Sequence, residues 1–193
     1  MKKSKKWLIV LFVFVVLCFI IWKKDRMQKE VILDGVLINQ FLKTEVTEQI
    51  EADMLAALGG DSEKEEVYLD AAMSIDLEAQ DPDTVTNLGK ITTYVFGKEL
   101  DFMIVEPEIA EHYANLNGLA DLQEVLSEEL TEELAERDLL YESESGKACG
   151  IQLAESTFVK EYGIEIENPV FCMVNNSEKK EKVEQIISWI VSR

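Results

Sequence analysis

Leu100 to Val105 reads LDFMIV, and its last four residues, Phe102-Met103-Ile104-Val105, form an unbroken apolar run. A run this short is strand length, and with no polar alternation it belongs to a strand covered on both faces at the centre of a sheet. Upstream, Thr84 to Phe96 reads as a helix capped by Asp83, with Val85, Leu88, Ile91 and Val95 as its apolar stripe and Gly97 as its stop. Downstream, Pro107 opens a helix where its missing N–H costs nothing, and Gly118 closes it. A buried strand between two helices is the repeating unit of an α/β fold.

The same alternation extends in both directions. Val31 to Ile38 (VILDGVLI) reads as a buried strand, although its length also allows a helix continuing the apolar segment before it. Thr44 to Leu58 spaces Val46, Ile50, Met54 and Leu58 four apart on one helical face, and Gly59 and Gly60 end it. Val67 to Ile75 is the next strand. The acidic stretch Asp121 to Asp138 carries short helices with leucines at 122, 126, 130 and 134. Leu139 to Glu142, Cys149 to Leu153 and Val170 to Val174 are three further strands, and Ser177 to Val191 is a closing helix with Val183, Ile186, Ile187 and Ile190 facing inward. These elements predict one α/β domain of three layers with a mainly parallel sheet over residues 31–193.

Sixteen uncharged, almost wholly apolar residues from Trp7 to Trp22 precede this domain, between Lys2, Lys3, Lys5 and Lys6 on one side and Lys23, Lys24 and Arg26 on the other. As a helix they cover about 24 Å, and terminal Trp rings with snorkelling Lys stems extend that toward a bilayer core of ~30 Å. The run ends in Phe19, Ile20, Ile21 and Trp22 rather than in small residues, which favours an uncleaved anchor over a cleaved signal peptide. Leu17 stands before Cys18 where lipid attachment would want a small residue, so Cys18 reads as part of the anchor. The expected layout is a cytoplasmic N-terminus at 1–6, a transmembrane helix at 7–22, a juxtamembrane linker at 23–30 and an extracytoplasmic domain from 31, in the cell membrane and facing outward.

Charge narrows the function. Residues 30 to 193 hold 37 acidic and 11 basic side chains, against one acidic and eight basic in the first 29. A domain of net charge −26 cannot neutralise phosphates, so nucleic acid is excluded as a partner. His112 is the single histidine, and no G-x-S-x-G, P-loop or H-E-x-x-H motif occurs. Asp81, Asp83 and Asn87 lack the central ligand and terminal Glu of a calcium loop. Pairs such as Glu128/Glu129 and Glu132/Glu133 read as a solvated face. The chain is therefore expected to be non-enzymatic, with no cofactor and no metal.

Residues Ile91 to Leu126 resemble part of the type 2 extracytoplasmic solute-binding proteins. The features are a helix ending in Gly97, a "G-x-x-x-D" turn to Asp101, the strand Phe102 to Val105, and then Gly118, Leu119, Asp121 and Leu122. Gly146, Lys147, Gly150, Ile151 and Leu153 are similar to that family's "G-K-x-x-G-I-P-L" strand, with Gln152 in place of proline. Asn175 and Ser177 fit its closing strand-Asn-Ser-helix segment. Such proteins close two lobes on a solute, and this domain has room for one. The resemblance thus implies a membrane-anchored interaction or sensing module, or alternatively a transporter's solute receptor that completes its cleft by dimerisation or with a partner. The bilayer is the expected partner of the N-terminal helix, with a protein, a second copy or a small polar solute as partners of the domain.

Open α/β sheets hold ligands beyond the carboxyl ends of their strands. Those ends supply Asn39, Asp76, Glu106 and Asn175 as candidate ligand-binding residues, each of which could equally serve as a cap or turn. Cys149 and Cys172 fall on two predicted strands. An oxidising compartment would allow a disulfide if those strands are neighbours, and two buried thiols that never pair is the other reading.

Overall fold

The structure is a computed structural model and describes residues 29–79 and 81–193. The Trp7 to Trp22 segment lies outside the described residues, and among these no helix is long and apolar enough to cross a membrane. Six strands form one sheet: β1 (Glu30–Ile38), β2 (Glu65–Met73), β3 (Phe102–Val105), β4 (Leu140–Glu142), β5 (Ala148–Gln152) and β6 (Val170–Met173). Among the described residues seven helices accompany it: α1 (Thr44–Ala57), α2 (Pro82–Gly97), α3 (Pro107–Asn115), α4 (Leu122–Val125), α5 (Glu128–Glu136), α6 (Thr157–Tyr162) and α7 (Lys180–Val191).

The strand order is β2-β1-β3-β6-β5-β4. Both neighbours of β1 run parallel to it, whereas the β3–β6, β6–β5 and β5–β4 pairs are antiparallel. The expected mainly parallel sheet is therefore corrected to a mixed one. Only five residues separate β4 from β5, which suffices for a hairpin and is far too short for a parallel crossover.

All four residues of β3 are fully buried, as its apolar run requires. Leu33 and Leu37 of β1, with Phe102 and Ile104 of β3, join one core with α1, α6 and α7. Val36 and Ile38, with Met103 and Val105, join a second core with α2 and α3 on the other face. The two cores make the three layers. Gly35 lies opposite Phe102 in the ladder, and the Phe102 ring stacks on Phe171 of β6 with centroids 5.0 Å apart and planes 9° from parallel.

Element ends explain the remaining differences. Asp81, not Asp83, caps α2, because its Oδ1 accepts from the backbone N–H groups of Asp83 and Thr84 while Pro82 takes the first helical turn. Val85 points outward and is 62% exposed, so the inward stripe of α2 begins at Leu88 and Ile91. After α3 the left-handed turn is taken by Asn117, at φ 55°, with Gly118 donating to the Tyr113 carbonyl just behind it. Leu122, Leu126, Leu130 and Leu134 are all buried, as their spacing predicts. Helix α6 was not expected; Ser156 caps it by accepting from Val159 N–H, and Gly163 ends it at φ 62°.

Candidate functional site

The candidate residues fall at both ends of the sheet. At the carboxyl end of β1, β2 and β3, three of the four expected site residues come together. Asn39 takes a left-handed φ of 62°, and its side chain then behaves as one more strand residue. Its Oδ1 accepts from Ile75 N–H at 2.8 Å, and its Nδ2 donates to the Ile75 carbonyl at 2.9 Å and to Glu106 Oε2 at 3.0 Å. Glu106 lies just before α3, so the Asn39–Glu106 bond bridges the crevice between β1 and β3, where the strand order switches. Asp76 is exposed, and its Oδ1 accepts from Glu78 and Ala79 N–H at 3.0 and 3.1 Å. The Asn39 amide, Glu106 Oε2 and Asp76 Oδ1 are thus engaged in closing the turns of the protein itself. A hollow of about 670 Å³ alongside β4, beside Pro107 and Tyr141, touches none of these three residues.

Asn175 is at the opposite end. Because β6 runs antiparallel to β3, its carboxyl end meets the amino ends of β1, β2 and β3, and the proposed four-residue grouping is corrected to three. There Asn175 lies against the α3 turn, with its Nδ2 donating to the Asn117 carbonyl at 3.2 Å.

That end holds a pocket of about 430 Å³ between the last turns of α2 and α3. Val95, Phe96, Tyr113 and Leu116 line it with Asn175 and Asn176. Phe96 is 83% exposed and Leu116 is 65% exposed, so two large apolar side chains stand in water at its rim. Tyr113 Oη and Asn176 Oδ1 are buried without a hydrogen-bond partner among the described residues. Burial also raises the Tyr113 hydroxyl well above the ordinary phenol range. Asn176 Nδ2, by contrast, donates to the Val95 carbonyl at 2.5 Å and ties the β6–α7 loop to α2. Such a pocket can receive an apolar group and has two polar atoms to spare. Its apolar rim escaped the sequence reading, since Phe96 follows directly on Val95 and looks like part of the buried stripe.

Beside the pocket lies a buried polar knot. Asp101, 1% exposed, accepts from Asp34 N–H at 2.9 Å, from Ser177 Oγ at 2.7 Å and from Lys179 Nζ at 3.0 Å. Asp101 and Ser177, two positions singled out by the motif pattern, are thus bonded to each other. Burial, aided by the negative charge of Asp101, raises the Asp34 carboxyl to about 7. The unfolded chain releases this proton near 3.8, whereas the folded one keeps it until about 7. Stability is therefore expected to fall as pH rises between those values. A shift of this size is worth ~4 kcal/mol in full, and the partial solvent access of Asp34 reduces it to ~1–2 kcal/mol. Asp34→Asn should match the parent near pH 4 and exceed it by that amount at pH 8 in denaturant unfolding. Equal differences at both pH values would contradict the buried carboxyl.

Cys149 and Cys172 lie on the neighbouring strands β5 and β6, both buried and both as free thiols. Burial raises the Cys149 thiol to about 11. His112 lies on α3 edge-on to Tyr113, with ring centroids 5.1 Å apart. No group of three or more His, Cys, Asp or Glu among the described residues could hold a metal ion. Comparison with protein-family models, curated proteins and solved structures finds no match to this chain.

Proposed function

We propose that the chain is a membrane-anchored, outward-facing module that works by binding another macromolecule, with an architecture resembling one lobe of a solute-binding protein. Neither catalysis nor the clamping of a small solute is its task. The observation that carries this reading is the use of Asn39, Glu106 and Asp76. These residues occupy the place where an open α/β sheet would hold a solute, and they are bonded to Ile75, to each other and to their own turns. A solute would have to compete with those bonds or bind the remaining carboxylate oxygens alone, with only half a cleft around it.

The acidic surface supports the same reading. Glu78, Asp83 and Glu108 surround the carboxyl ends of the parallel strands together with Asp76, and Lys43 is the one cation at the start of the helix between β1 and β2. A face of this charge favours a basic partner and rejects polyanions.

Calorimetry of the chain, verified as a monomer, against sugars, amino acids and short peptides tests the proposal. Binding no tighter than about millimolar, ~−4 kcal/mol, is expected for every solute. One micromolar ligand would overturn the reading in favour of a solute receptor. If that ligand were also weakened by Glu106→Ala, the strand ends would be its site.

A further inference from the structure

We propose that the end of the domain bearing Phe96 and Leu116 rests on the bilayer surface, so that the carboxyl ends of the parallel strands point away from the membrane. The inference builds on the membrane-anchored reading of Trp7 to Trp22. It starts from where the chain enters the fold. Strand β1 begins at Glu30, at the amino end of the parallel strands, and Glu30 N–H is bonded there to the Lys64 carbonyl at 2.8 Å. The seven residues from Lys23 to Lys29 span about 24 Å at most, so this end of the sheet is held near the anchor.

The pocket opens at that same end. The β6–α7 loop connects the two places: Lys179 Nζ reaches the Val31 carbonyl at 3.4 Å, and Asn176 reaches the Val95 carbonyl. Across the sheet, β1 and β6 are two strand spacings apart, about 10 Å, and because Met173 is level with Gly35 through Phe102, the start of β1 projects five residues, about 16 Å, beyond the end of β6, a gap that the β6–α7 loop crosses to reach Val31. Val31, 37% exposed, is a further apolar side chain beside the entry point.

Charge separates the two ends as well. Of the 11 basic residues in 30–193, Lys64, Lys98, Lys147, Lys179, Lys180 and Lys182 lie at or near the anchor-proximal end. Asp61, Glu178 and Asp101 there are ion-paired with Lys64, Lys98 and Lys179. Glu30, Glu63, Glu65, Glu66, Glu99, Glu144 and Glu181 share that end, so it stays net negative, with six of the 11 cations there to offset its carboxylates and meet headgroups. Apolar rings and aliphatic side chains then enter the interface beside lysines that meet headgroups, the usual composition of an interfacial contact.

The test uses the full chain in vesicles, with Cys18→Ala to remove the cysteine of the anchor; Cys149 and Cys172 are buried and shielded from label. Single cysteines replacing Phe96, Leu116 or Phe41 carry an environment-sensitive fluorophore, and the lipid carries a spin-label quencher near the headgroup. Phe41 is 68% exposed and follows β1 at the far end, so it is the control. Labels at 96 and 116 should shift to the blue and lose most of their emission to the quencher, while the label at 41 keeps both its colour and its intensity. Chain that floats with the vesicles while all three labels behave as in water would overturn the docking and leave the anchor standing. Chain that fails to float would overturn the anchor and the docking with it.

Discussion

Ile104→Asp should leave residues 29–193 unfolded at 25 °C. Ile104 is fully buried in the middle of β3, between Leu37 of β1 and Phe171 of β6, with α-helices covering the sheet on both faces. An aspartate there finds neither solvent nor a cation, and burying an unpaired carboxylate costs ~4 kcal/mol or more. The isoleucine's own buried contacts are lost in addition. Against a total stability of about 5–15 kcal/mol for an ordinary domain, this is enough to abolish the fold or bring it to the edge. Glu129→Lys is the control. Glu129 is exposed in the first turn of α5, where an acidic side chain favours the helix dipole, so the change should cost only ~0.3–1 kcal/mol. Circular dichroism against temperature reads both, and equal melting points would mean that β3 is not the centre of the sheet.

Gly35→Ala is the second large effect, and it probes packing rather than charge. A Cβ on Gly35 would sit 2.1 Å from Phe102 Cζ and within 2.5 Å of both neighbouring ring carbons. The ring cannot swing away, because Phe171 is stacked against it and Phe102 is itself fully buried. Overpacking of this kind costs about 3 kcal/mol. Phe102→Leu removes the ring at a separate cost of ~1–2 kcal/mol. The double variant Gly35→Ala/Phe102→Leu should be more stable than the sum of the two losses implies, since the leucine makes room for the new methyl. Additive losses in urea unfolding would show that the two positions do not meet.

Much of this architecture is visible in short-range pattern. The run Phe102 to Val105, the leucines at 122, 126, 130 and 134, and the inward face of the last helix all lie where their periodicity places them. Two errors had local remedies. Pro82 at the first helical turn marks Asp81 as the cap, and the five-residue gap between β4 and β5 marks a hairpin. The placement of β6 had no such remedy. Seventeen residues, including α6, separate β5 from β6, and a connection of that length can return a strand in either direction. Its direction follows from packing against β3 and β5, which is long-range information. The misplacement of Asn175 was the direct consequence.

The grouping of Asn39, Asp76 and Glu106 was legible because it depends only on the three parallel strands. Their engagement with one another was not, because Asn39 had to adopt a left-handed backbone for its amide to reach both Ile75 and Glu106. The apolar pocket was hidden for a different reason. One residue along a helix turns a side chain by about 100°, so Val95 can face the core while Phe96 faces water.

Topology tests the central claim most directly. Protease added to intact spheroplasts should degrade residues 29–193 and leave a membrane-bound fragment that retains the N-terminus, as the proposal of an uncut anchor with the domain on the outer side requires. A domain fully protected from protease until the membrane is opened would contradict the account.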